Sequence, residues 1–211
     1  MTDFSIRELG PSTWPDFARL VEKHHGVWGG CWCISFHLKS RGPNRTAAMN
    51  KADKERLVRA NQAHAALVYD GADIAGWCQF GSPVELPARM SGFNKLRVPL
   101  PDWRITCFFV DRDRRKEGVA RAALEGALRM IAAKGGGSVD GYPVDTRGEA
   151  TSNSFLWSGT LTMFQDLGFR QLGALGPGKR TVRKVVRASR GSRTRPRRIG
   201  TPRDRAIARR S

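Results

Sequence analysis

The sequence predicts an α/β (α+β) domain, a mixed and mostly antiparallel central sheet flanked by helices. Two apolar runs at 65–69 and 74–80 are separated by Asp70-Gly71-Ala72-Asp73, a hairpin signal because glycine readily takes the positive backbone angle a tight turn needs. A strongly apolar run at 104–110 leads through a basic turn into a helical stripe. A further helix then ends at Gly168 and is followed by two final apolar runs, so strands and helices alternate in the second half.

Taken in order, residues 5–8 read as a short first strand. Trp14, Phe17, Leu20 and Val21 recur at helical spacing behind Ser12 or Thr13 as cap, with Pro15 suited to a first helical turn. The aromatic and cysteine-rich stretch 28–37 has no clear period. Residues 44–63 are rich in Ala, Lys, Arg and Glu and predict a second helix. After the hairpin, 82–102 carries Pro83, Pro87, Pro99 and Pro101 without a steady period and reads as a long covering loop.

The 104–110 run is the central strand. Ala120, Leu124, Ala127, Leu128 and Ile131 form the apolar stripe of a helix over 117–134, ended by Gly135-Gly136-Gly137. Residues 138–142 are the next strand and 158–167 a shorter helix. Strands at 169–172 and 181–186 complete the domain, and no internal repeat is present.

The 211 residues, 40% of them hydrophobic, suffice for one substantial core and predict a single domain over 1–187 with a tail. The first ten residues lack the charged-then-apolar order of a signal peptide, and no apolar run approaches a bilayer span of about 20 residues. A soluble, cytoplasmic protein is expected. The net charge of +18 resembles a nucleic-acid binder's, but fourteen Lys or Arg and a single acid, Asp204, fall between Lys179 and Ser211. That stretch holds +13 of the total, so the folded part is mildly basic. From 188 to 211 the chain is too polar to offset the entropy of ordering, and a disordered basic arm is expected.

Cys31, Cys33, Cys78 and Cys107 include no second close pair to complete a zinc site, so no metal is expected. Were Cys31-Trp32-Cys33 a strand, both thiols would point to one face as small buried hydrophobes.

The segment 110–120, Val-Asp-Arg-Asp-Arg-Arg-Lys-Glu-Gly-Val-Ala, joins a buried strand to a helix through a basic turn. Amides of a first helical turn lack intrahelical acceptors and the helix dipole adds positive potential, so a pyrophosphate is well held there. Gly118 and Ala120 permit close approach, and Arg114, Arg115 and Lys116 add charge at the mouth.

Arg115-x-x-Gly118-x-Ala120, placed just after this strand, resembles the acetyl-CoA motif of the GCN5-related N-acetyltransferase superfamily. Leu167-Gly168-Phe169 matches the Gly-Phe pair that ends that family's later helix, and the resemblance spans roughly residues 6–186. It implies a sheet splayed after the fourth strand, with the pantetheine arm of the acyl donor in the gap. Phe108 and Val110 would then contact pantetheine through main-chain groups, and Arg115, Lys116, Gly118, Val119 and Ala120 the pyrophosphate. The implied activity is transfer of acetyl from acetyl-CoA to a primary amine, by direct attack in a ternary complex.

Catalytic residues depart from the family's pattern. Many members carry a carboxylate on the fourth strand, whereas Ile105-Thr106-Cys107-Phe108-Phe109 has none. The family's thiolate-protonating tyrosine corresponds to Phe164, and a common pantetheine-contacting asparagine to about Trp157. Substitute acids are Tyr142, Ser158 and Thr160. Asp140, Asp145 and Glu85 are the carboxylates able to accept a proton through water. His24, His25, His37 and His64 are further candidates, of which His37 follows a segment expected to wall the acceptor side together with loop 82–102. Trp28, Trp32, Trp77 and Trp103 would make that side aromatic.

Two other functions fit the sequence. A nucleic-acid or ribosome-associated protein would bind polyanions through the basic arm by counterion release. A non-catalytic coenzyme A sensor would account for the missing tyrosine and carboxylate.

Overall fold

The computed structural model describes residues 3–39, 44–88, 90, 92–146 and 153–189. Apart from Ala188 and Ser189, the basic arm expected over 188–211 lies outside the described residues; the Ser189 amide donates to the Ala132 carbonyl at 2.9 Å.

Seven strands form one sheet: β1 (Ser5–Glu8), β2 (His64–Asp70), β3 (Asp73–Gly81), β4 (Trp103–Val110), β5 (Gly137–Gly141), β6 (Arg170–Gly176) and β7 (Lys179–Val186). Their order is β1-β2-β3-β4-β5-β7-β6, and every pairing is antiparallel except β4 with β5. Gly71, in the left-handed region at φ +58°, turns the β2–β3 hairpin, so that Asp70 pairs with Asp73 as its sequence indicates.

The helices are α1 (Trp14–Lys23), α2 (Ala47–Arg59), α3 (Val119–Ala133) and α4 (Leu161–Asp166). Helix α2 begins three residues later than its composition suggests, because the Thr46 hydroxyl caps it by accepting from the Met49 amide. On one face of the sheet α1 buries Phe17, Leu20 and Val21 in a cluster with Trp77 and Phe109. On the other, α3 buries Ala123, Leu124, Ala127 and Ile131 in a cluster that includes Phe80, Phe108 and Phe164. Each such large side chain contributes about 1.5–3 kcal/mol by leaving water, and together they hold β4 between two helical layers.

Two local expectations are corrected. Cys31-Trp32-Cys33 is not a strand: Trp32 and Cys33 are both left-handed at φ +50° within a chain of tight turns, so alternation between faces does not apply. Tyr142 lies one residue beyond β5 rather than within it.

Candidate active site

Strand β4 is laddered along its length to β3 but pairs with β5 only at Trp103 with Val139 and Arg104 with Asp140. Beyond Arg104 the two strands diverge, so the β5-facing backbone of residues 105–110 has no strand partner among the described residues. The 3₁₀ turn Asn153–Ser158 and the start of α4 stand across the opening. Phe164, fully buried, packs its ring edge-on to Phe108 and Phe169 at 6.0 and 4.9 Å between centroids.

A cavity of about 380 Å³ occupies this gap. Phe108, Val110, Arg115, Lys116, Gly118, Val119 and Ala120, singled out in the sequence, all line it. Phe109 and Trp28 extend the wall on the α1 side, and Trp157, Thr160 and Met163 close the other.

The phosphate-holding end is built locally. The Asp111 carboxylate accepts the Asp113 amide and starts a 3₁₀ turn at Arg112–Arg114. Lys23 braces that turn by bridging Asp111 at 2.8 Å and Asp113 at 2.7 Å, while His24 Nε2 stands 3.2 Å from Asp111. Burial alone would raise the Asp111 carboxyl, but the Lys23 ammonium and the Asp113 N–H hold it below the usual carboxylate range. Lys116 and Gly118, at φ +66° and +87°, then reverse the chain into α3. The first intrahelical bond runs from Ala122 N–H to Gly118 C=O, which leaves the N–H groups of Val119, Ala120 and Arg121 outside the helical ladder. A Cβ on Gly118 would meet nothing within 4 Å, so the space against this backbone is open to a ligand.

The charge at the mouth differs from expectation at one residue. Arg114 is engaged by Asp70 and by Glu117, the latter at 2.8 Å, and is not among the cavity residues. Arg115 and Lys116 line the cavity and have no acidic partner among the described residues.

None of the three proposed catalytic residues is among those lining the cavity. The Tyr142 hydroxyl is buried, accepts from Arg104 Nε at 2.9 Å, and is pushed up by burial. Asp145 takes a 2.7 Å ion pair from Arg180. Ser158 is buried between the lining residues Trp157 and Gly159, and its Oγ finds no hydrogen-bond partner among the described residues.

The other acid and base candidates are engaged too. The Thr160 hydroxyl accepts the Met163 amide as cap of α4. Asp140, pushed up by burial, receives two bonds from Arg183 at 2.6 and 2.9 Å. Glu85 bonds Ser82 and His64. His37 is driven down to about 2 by burial and by neighbouring Lys54; it stays neutral, accepting at Nε2 from Lys54 and donating from Nδ1 to the Glu85 carbonyl. Of the four tryptophans, Trp28 reaches the cavity, whereas Trp32 and Trp77 pack in the core and Trp103 bonds the Gly136 carbonyl.

Met163 lines the cavity without a local signal in the sequence, because the start of α4 reaches β4 only through the divergence of two strands; Arg121 does so from the first turn of α3, and Trp157 stands where the resemblance places a pantetheine-contacting residue. Among the described residues no group of His, Cys, Asp and Glu is arranged to hold a metal ion, and no helix is long and apolar enough to cross a membrane.

No family model matches the sequence, and no curated protein matches it. Solved structures do. A Corynebacterium glutamicum structure described as histone acetyltransferase HPA2 and related acetyltransferase is similar with a TM-score of 0.54 at 16% identity, over 90% of this chain and 99% of that one. A putative GNAT-family acetyltransferase from Desulfovibrio desulfuricans is similar with a TM-score of 0.48 at 17% identity, over 87% and 99%. An acetyltransferase from Thermus thermophilus gives 0.47 at 15%, over 86% and 96%. The Corynebacterium structure supports a class of fold alone, and this chain's own seven-stranded mixed sheet flanked by helices agrees with it. The chain has the GCN5-related N-acetyltransferase fold.

Proposed function

We propose that this chain is an acetyl-CoA-dependent N-acetyltransferase that moves the acetyl group to a primary amine by direct attack within a ternary complex. One observation carries the reading: the unpaired edge of β4 and the open cradle at the start of α3 share one cavity. An extended amide-bearing arm suits the first and a pyrophosphate the second.

The free edge around Phe108 and Val110 offers main-chain groups to the pantetheine arm, and the Val119 and Ala120 amides meet the pyrophosphate with Arg115 and Lys116 beside it. Phe108, Phe109, Trp28 and Trp157 exclude water from the thioester end. An amine entering this wall loses hydration, which favours its neutral, nucleophilic form and answers the lack of a carboxylate on β4. A backbone amide near Val110 is the donor for the carbonyl oxygen as it gains charge.

For the proton returned to the departing thiolate we assign Ser158. The Tyr142 and Thr160 hydroxyls each accept a hydrogen bond, from Arg104 and from the Met163 amide, whereas the buried Ser158 Oγ, between the lining residues Trp157 and Gly159, has no partner among the described residues.

Calorimetry with acetyl-CoA, followed by thiol-release assays over a panel of amines, tests this directly. Saturable binding with turnover of at least one amine is expected. Failure to bind at millimolar concentration overturns the donor site, and binding without turnover replaces the enzyme by a coenzyme A sensor.

A further inference from the structure

The rim of the cavity carries a half-buried cation that the acyl-donor site does not use. Val144, just beyond β5, is bridged to Thr160 on one side and to Lys179 on the other, and Thr160 lines the cavity. The Lys179 backbone is therefore two strand spacings, about 9–10 Å, from that edge. Its ammonium closes the distance by standing over the indole of Trp157, 3.7 Å from the ring centre. Trp157 lines the cavity and packs on Phe36, 5.8 Å between centroids, against the core on the α1 side of the sheet. Lys179 thus borders the cavity through this ring, at the aromatic wall and away from the cradle that begins α3.

An ammonium over an aromatic face keeps its three N–H donors, and no described residue supplies them with an acceptor. Its neighbours on β7 are placed differently. Arg180 pairs with Asp145 at 2.7 Å and Arg183 with Asp140 at 2.6 Å, so the carboxylates that β5 and its extension offer to β7 are taken. Lys179 has no acidic partner among the described residues, and burial brings its ammonium below the ordinary lysine value. A cation left in this state favours an anion brought from outside. The cavity gives the same sign: Arg115, Lys116 and Arg121 line it, and among the described residues no Asp or Glu does. A polyamine would bring a second cation to a wall with no carboxylate to meet it, whereas an amine bearing a carboxylate meets Lys179.

We propose that Lys179, held on Trp157, is the carboxylate-binding end of the acceptor site, and that the acceptor is a small amine carrying its own carboxylate, of the amino-acid class. The carboxylate takes N–H donors from Lys179 at the rim, the apolar part of the molecule lies against Trp157, and the amine points to the gap beside β4. Lys179 is a specificity residue in this arrangement and takes no part in the proton transfers. The fate of the amine rests on the acetyl-transfer reading; the anion site does not.

Two measurements test this. In the first, thiol release from acetyl-CoA is followed with phenylalanine, leucine and alanine, with phenylalaninol, leucinol and alaninol, in which a hydroxymethyl group replaces the carboxylate, and with spermidine. The best amino acid is expected to exceed its amino alcohol and spermidine at least about tenfold in kcat/KM, the size of one charge-assisted hydrogen bond. Lys179→Met, which keeps an apolar stem on the indole, collapses that ratio through KM, and Lys179→Arg restores part of it. The second measurement needs no turnover: calorimetry compares the N-acetyl derivatives of the three amino acids with those of the three amino alcohols. At least one acid binds about tenfold tighter than its alcohol or better, and Lys179→Met removes the difference. Absence of transfer to every amine overturns the acetyl-transfer reading and leaves calorimetry to decide the anion site. Equal binding of acid and alcohol, preference for spermidine, or equal loss of acid and alcohol in Lys179→Met overturns the proposal, and the lysine then only packs on Trp157.

Discussion

Arg104 Nε donates to the Tyr142 hydroxyl at 2.9 Å, while its Nη1 reaches the carbonyls of Leu86 and Ala88. One buried guanidinium thus ties the end of β5 to the loop that follows β3. Tyr142→Phe leaves that Nε without an acceptor and is expected to cost about 1–3 kcal/mol in urea unfolding. Acetyl transfer in the same variant should change less than about threefold, far from the roughly 100-fold or more that losing a general acid costs. A large fall in kcat at unchanged KM would instead return Tyr142 to the chemistry.

Gly118→Val tests the cradle. At φ +87° a β-branched residue is strained, yet its Cβ would meet no atom within 4 Å, so the fold is retained at a cost of about 1–3 kcal/mol. The added side chain occupies the space assigned to phosphate. Acetyl-CoA affinity by calorimetry should fall at least about tenfold, or 1.4 kcal/mol.

Arg115 and Lys116 have no acidic partner among the described residues, whereas Arg114 is held by Asp70 and Glu117. Arg115→Gln and Lys116→Gln are each expected to weaken acetyl-CoA binding about tenfold, with unfolding unchanged, and to flatten its salt dependence. Arg114→Gln is the control. It should leave affinity intact, since its charge is already spent on two carboxylates.

The parts legible in the sequence are those set by neighbours along the chain. The Gly71 hairpin, the α3 stripe and the turn from Val110 into α3 each depend on local backbone preference and on a period within one element. The 28–37 stretch is opaque in sequence because its course depends on left-handed residues, of which Trp32 and Cys33 are held by packing in the core cluster with α1 and the sheet. Lys54 reads as one more charged residue in a polar helix, and its burial follows from partners on β3 and on the connection after α1. The orientation of Arg114 likewise depends on Asp70, a hairpin residue forty-four positions earlier.

His64 lies buried between Glu8 and Glu85, 3.2 Å from each. Burial alone would lower its imidazole, but the two carboxylates outweigh that and raise it above its ordinary 6.5. Glu8 is lowered from 4.5, chiefly by His64; Glu85 is lowered because His64 and Ser82 overcome its desolvation. The sign differs between partners. The raised His64 contributes stability that is full below about pH 6.5 and fades as pH rises through its folded value; the lowered glutamates contribute above about pH 4.5 and fade as pH falls through theirs. The stability difference between wild type and His64→Gln should therefore peak between about pH 4.5 and 6.5 and shrink on both sides. Lys134, which also pairs with Glu8 at 3.0 Å, preserves part of the acid limb in the variant. Urea unfolding across pH measures this, and a difference that does not vary with pH would show that the triad is not charged.

Ser158 carries the sharpest claim about chemistry. Removing a buried hydroxyl that has no partner among the described residues breaks no bond within them, so Ser158→Ala should leave thermal unfolding unchanged or slightly improved. Acetyl-CoA affinity should also hold, since the Val119 and Ala120 amides with Arg115 and Lys116 carry it in this reading. The loss should appear in kcat alone, about 100-fold for a proton donor to the leaving thiolate. Ser158→Thr keeps the hydroxyl and should recover part of the rate. A Ser158→Ala enzyme of full kcat would leave solvent as the proton source, with rate coming from positioning in the β4–β5 gap rather than from acid catalysis.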